Sequence, residues 1–164
     1  MLTQVNPGQP VRCHTWVVYK RILVATDGSR LSTRAVTQAL ALAQAVGARL
    51  TAFYAAPAYP LPVYGDAVLR DPRAKRQYAE LAVRDADRVL EPVACKAKAA
   101  GVACDVLHAA SDAPWEAILA AAHADKADLI VMASHGRRGM SALLLGSETT
   151  KVLTHSKIPV LVVR

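Results

Sequence analysis

Aromatic side chains make up only 5% of this 164-residue chain, and cysteine occurs three times. The few aromatics do not alternate with basic residues, so the sequence lacks the interleaved pattern of a nucleic-acid-binding surface. Cys13, Cys95 and Cys104 are odd in number and show no CxxC spacing, which argues against a disulfide framework and a zinc cluster. They read as buried or incidental thiols. His14, His108, His123, His135 and His155 show neither HxxxH nor HExxH spacing, so no preformed metal site is expected. No apolar run approaches the roughly 20 residues that cross a bilayer. Met1 to Pro10 lacks the basic start and apolar stretch of a secretory signal. These absences lead us to expect a soluble cytoplasmic protein with no membrane, nucleic-acid or structural-metal partner.

What is present is apolar and basic. The hydrophobic fraction is 53% and the formal net charge is +7. A chain of this length fits one domain and buries about two-thirds of its unfolded surface, enough for a sizeable core. Its cations are scattered, with local concentrations only at Lys20-Arg21, Arg70 to Arg76 and Arg137-Arg138. Such a surface suits solubility or a small anion better than a polyanion.

Residues 1–17, with Asn6-Pro7-Gly8 and Pro10, read as an irregular extension, and the folded domain as 18–164. Five short apolar runs predict strands at Arg21 to Ala25, Arg49 to Ala56, Val102 to Ala109, Asp128 to Ala133 and Pro159 to Val163. Helical periodicity lies between them. Ser32 is expected to cap a first helix with Ala35, Ala39, Leu42, Ala43 and Val46 on one face, ended by Gly47. Asp71-Pro72 opens a second, which Pro92 should kink or split. Asp112 and Pro114 start a third, with Trp115, Ile118, Leu119 and Ala122 inward. The last runs from about Ser147 to His155. The segment from Pro57 to Asp71 reads as a long loop, with Tyr59 and Tyr64 as candidate lid residues.

Strands alternating with helices imply an α/β domain: an open five-stranded parallel sheet covered on both faces. In such sheets ligands bind beyond the carboxyl ends of the strands, where the winding reverses. The polar, glycine-bearing strand ends here are Thr26-Asp27-Gly28-Ser29 and Ser134 to Gly139. For both to serve one site the first and fourth strands must be neighbours, which predicts the order 3-2-1-4-5.

Each end has a chemistry. Asp27 offers a carboxylate to ribose hydroxyls or an amino group, although Asp-Gly also serves simple turns. Gly136, Gly139 and Gly146-Ser147 at a helix start suit a phosphate chain, with Arg137 or Arg138 adding charge. The same residues also make an ordinary loop and helix cap. Neither the P-loop nor the dinucleotide fingerprint is present. Ser29 and Ser147 lack a nucleophile elbow and an evident base, so no catalytic residue is assigned.

The segments YKRILVATDGS (Tyr19 to Ser29) and DLIVMASHGRRGMSALLLGSETTKVLTHSKIPVLVV (Asp128 to Val163) resemble universal stress proteins of the UspA type. The resemblance runs from about Val18 to Arg164. It implies a Rossmann-like fold of the adenine nucleotide alpha-hydrolase kind. ATP-binding members carry a glycine, two residues, a glycine, nine residues, then Gly-Ser or Gly-Thr. Gly136 and Gly146-Ser147 match, whereas Ala133 replaces the first glycine. At a position needing positive φ that methyl would cost about 1–2 kcal/mol; in ordinary β backbone it costs almost nothing. Because strand four ends at Ala133, the second case is expected.

Carried over by position, the resemblance implies adenosine contacts from Ala25, Thr26, Asp27 and the backbone near Ala55. It implies phosphate contacts from Ser134, Gly136, Arg137, Gly146, Ser147, Glu148 and Thr149. Met132 would touch the base as well as the core. The implied ligand is ATP or a related adenine nucleotide, accompanied by Mg²⁺. The implied assembly is a homodimer through the strand at Pro159 to Val163, and the implied role is a stress-response sensor or regulator. Relatives often start with Met-Tyr where this chain has Val18-Tyr19, which raises the expectation of a misplaced start. Two other readings stay open: a nucleotide-free dimerising partner module, and an adenylate-forming or slowly ATP-hydrolysing enzyme.

Overall fold

A computed structural model describes residues 19–58, 72–136 and 145–164. The expectations placed on Arg137, Tyr59 and Tyr64 lie outside these residues. Nine elements follow in order: β1 (Arg21–Ala25), α1 (Arg30–Val46), β2 (Arg49–Ala56), α2 (Pro72–Ala99), β3 (Cys104–Ala110), α3 (Pro114–Ala124), β4 (Leu129–Ala133), α4 (Ser147–His155) and β5 (Val160–Val163). The strands form one sheet in the order β3-β2-β1-β4-β5. Every pairing is parallel.

Because side chains alternate across a strand, the central strands feed two separate cores. Ile22 and Val24 of β1 join Leu129 and Val131 of β4 beneath α1 and α2. Leu23 and Ala25 join Ile130 and Met132 beneath α3 and α4. Strands buried on both faces must be apolar at nearly every position, as RILVA and LIVMA are.

Two helix starts depart from expectation. Ser29, not Ser32, caps α1: its backbone is extended and its Oγ accepts from Ser32 N–H at 3.2 Å. Ser32 is turned inward, where Thr26 Oγ1 donates to its hydroxyl at 3.1 Å. At the other end Gly47 takes the left-handed conformation (φ 69°) that closes a helix. Helix α2 runs unsplit through Pro92. Val89 and Leu90 before the proline, and Val93 and Ala97 after it, are all buried in one cluster. That burial outweighs the lost backbone hydrogen bond. Helix α3 starts at Pro114 with Ala113, not Asp112, in the capping position. Asp112 is exposed.

Cys95 and Cys104 are both free thiols. Burial pushes the Cys104 thiol up from its ordinary value. Among the described residues no helix is long and apolar enough to cross a membrane. No group of three or more His, Cys, Asp or Glu among them is placed to hold a metal ion.

Candidate functional site

A cleft of about 210 Å³ opens at the carboxyl ends of β1 and β4, on the α3/α4 side of the sheet. The cleft is where an open α/β sheet reverses its winding: α1 leaves β1 toward one face, and α4 follows β4 on the other. Its apolar floor comes from Ala25, Phe53, Ala55, Met132 and Ile118, and its polar rim from Asp27, His135, Gly136, Glu148 and Thr149.

The β1 end is a tight turn. Thr26 N–H donates to Phe53 O at 2.9 Å, continuing the β1–β2 ladder one step. Gly28 N–H then donates to Thr26 Oγ1 at 3.2 Å, with Gly28 at φ 76°, a conformation that strains any residue with a Cβ. Asp27 Oδ1 accepts from Ser29 N–H at 3.0 Å, an Asx turn that orients the carboxylate. Gly136 crosses so close that a Cβ there would lie 2.8 Å from Asp27 Oδ2.

The β4 end is bound to α4. Thr149 Oγ1 donates to Ala133 O at 3.0 Å, and Gly146 N–H to Ser134 O at 2.8 Å. With these two bonds the first turn of α4 is held against the strand end. Gly146 brings no capping side chain, so the first-turn N–H groups of Ser147, Glu148 and Thr149 have no acceptor within the helix. They carry the positive end of the helix dipole.

The structure brings together nine of the residues singled out from sequence: Ala25, Thr26, Asp27, Ala55, Met132, Ala133, Gly136, Glu148 and Thr149 all line the cleft. Ser134, Gly146 and Ser147 are not among its lining residues. Ser134 is only 3% exposed, and its hydroxyl pairs with His135 Nδ1 at 3.1 Å. Ala133 lies in β4, paired with Val163, and among the described residues only Lys126 is a non-glycine with positive φ. The alanine therefore sits in ordinary strand backbone, packed into the α1/α2 core at 7% exposure.

Sequence reasoning did not assign Ser32, Phe53, Pro114 or Ile118 to the site. Phe53 was detectable, since two residues before Ala55 in a strand means the same face. A second cavity, about 180 Å³, lies between α1 and α2 and shares Thr26 with the cleft, but β4 and α4 take no part in it.

Sheet order, winding and cleft together define a doubly wound α/β domain with a cleft at its strand ends. The chain belongs to the universal stress protein family, whose family model matches residues 18–164. It is 39% identical over 148 residues to a universal stress protein of Thermus aquaticus, covering 90% of this chain and all of that one (100%). A solved structure from the family in Burkholderia pseudomallei superposes with a TM-score of 0.64 at 28% identity, covering 88% of this chain and 96% of that one. A universal stress protein solved in complex with cAMP superposes with a TM-score of 0.62 at 31% identity, covering 90% of this chain and 98% of that one.

Proposed function

We propose that this protein binds an adenine nucleotide, ATP or a close relative, in the β1/β4 cleft and acts as a cytoplasmic, homodimeric stress-response regulator. The observation that carries the reading is an apolar floor bounded at one end by the Asp27 carboxylate and at the other by the uncapped start of α4. A flat base suits Ala25, Phe53, Ala55 and Met132. Asp27 is an acceptor for ribose or amino protons, and the N–H groups at Ser147 to Thr149 suit a phosphate. The cAMP complex of a relative 31% identical supports the same class of ligand. Mg²⁺ would enter with the phosphates, which the ion prefers to an all-protein cage.

Residues 18–164 form the functional unit in this reading, with 1–17 an extension; the start of the family match at residue 18 supports that division. Among the described residues β5 pairs with β4 alone, and Leu161 on it is 40% exposed. An apolar edge of this kind favours pairing with a second copy.

Isothermal titration of verified nucleotide-free protein with ATP plus Mg²⁺, AMP and cAMP tests the function. Micromolar binding of at least one is expected, and silence up to millimolar concentrations of all three overturns the reading in favour of a nucleotide-free module. The same assay checks the departure from the family pattern. Ala133→Gly should leave affinity within about threefold, because the methyl sits in strand backbone facing the core. In urea it should lower stability by about 1 kcal/mol, through the lost packing and the more flexible backbone.

A further inference from the structure

Helix α3 begins without a cap of its own, since Ala113 has no side chain that can accept from the first-turn N–H groups. The acceptor comes from another helix. Trp115 N–H donates to Glu148 Oε2 at 3.0 Å, while Lys151 Nζ donates to Glu148 Oε1 at 3.1 Å. Two turns along the same face of α4, the His155 ring lies against that of Trp115, with centroids 4.6 Å apart and planes at 39°. Val152 between them is fully buried in the cluster that holds Ile118. Helix α4 thus grips Trp115 by its main chain at one end and by its ring at the other.

Pro114 and Ile118, on either side of Trp115 in α3, line the cleft together with Glu148 and Thr149. We infer that Glu148 is a positioning residue: through Trp115 it holds the α3 wall of the cleft against the start of α4, and so sets nucleotide affinity. This rests on the nucleotide-binding reading above. Charge acting directly predicts the opposite sign. A free carboxylate in the first turn of α4 would repel phosphate, so removing it would tighten binding. Here the carboxylate is engaged by the Trp115 N–H and by Lys151, so its loss frees the α3 wall and weakens binding.

The test uses a Trp16→Phe background, in which Trp115 is the one remaining tryptophan of the two. Glu148→Ala and Glu148→Gln are compared by titration with whichever of ATP and AMP the background protein binds more tightly, and by emission of the nucleotide-free proteins. Glu148→Ala should weaken binding about tenfold and shift Trp115 emission to the red. Glu148→Gln, whose amide oxygen still accepts the N–H, should restore affinity to within about threefold and return the emission. Unchanged or tighter binding by Glu148→Ala, or no recovery with glutamine, overturns the inference. If the background protein binds no nucleotide, the functional reading falls instead. The clasp is then decided by emission alone: a red shift reversed by glutamine supports it, and an unmoved emission overturns it.

Discussion

Asp27→Arg should weaken adenine-nucleotide binding by more than about a hundredfold while the protein remains folded. Two effects act in the same direction. The substitution removes the acceptor at the β1 end of the cleft, and a hydrogen bond to a charged group contributes about 1.5–3 kcal/mol. That alone is about ten- to a hundredfold in affinity. It also places a longer cationic side chain into a cleft of about 210 Å³, under Gly136, which crosses close enough for a Cβ to reach 2.8 Å from Asp27 Oδ2. The fold should tolerate the change because Asp27 stands beyond the strand, whereas Ile22, Leu23 and Val24, which anchor β1, are fully buried. Among the losses are the bond from Ser29 N–H to the carboxylate, about 1.5–3 kcal/mol, and a favourable negative charge near the start of α1, about 1 kcal/mol or less. Titration calorimetry beside circular dichroism separates the two outcomes. Wild-type affinity in the variant would move the adenosine site away from β1.

The sheet was legible because its constraints are strong and local. A central parallel strand must be apolar at nearly every position, which marks RILVA at Arg21–Ala25 and RLTAFYAA at Arg49–Ala56 to the residue. Strand order followed from asking which two polar strand ends must share a site. What was not legible depends on torsions and on contacts between distant segments. Ser29 and Ser32 are both good caps by composition, and the choice was made by the extended backbone of Ser29 (φ −70°, ψ 162°). Glu148 was singled out only through the family resemblance, as a phosphate contact. Its partner is the main chain of Trp115, 33 residues earlier, and a main-chain partner leaves no trace in a pattern of side chains. The glycines illustrate the remaining ambiguity. A sequence shows that position 146 needs a small residue, but not whether a ligand or the protein occupies the space.

At Gly146 the occupant is the protein, so Gly146→Ala should reduce both stability and affinity. The backbone there (φ −63°, ψ 152°) is open to any residue, so conformational freedom is not the reason for glycine. Space is. An alanine Cβ would lie 3.2 Å from His135 Cα, 3.3 Å from His135 Cβ and 3.4 Å from Ser134 O. These atoms belong to the backbone or are fixed to it, so no rotamer change relieves the crowding. The 2.8 Å bond from Gly146 N–H to Ser134 O holds the two segments at this separation, and the start of α4 must move away. Overpacking of this kind costs about 1–3 kcal/mol. The displaced first-turn N–H groups should weaken nucleotide binding about tenfold. Gly136→Ala separates the two effects, because among the described residues its Cβ would meet only the end of the Asp27 side chain, which can swing aside. That variant should unfold in urea much as the wild type does, yet lose affinity about tenfold or more as the carboxylate is displaced. Should Gly136→Ala instead lose stability and keep its affinity, the close approach to Asp27 would serve the fold, and the acceptor for the nucleotide would have to be sought elsewhere on the rim.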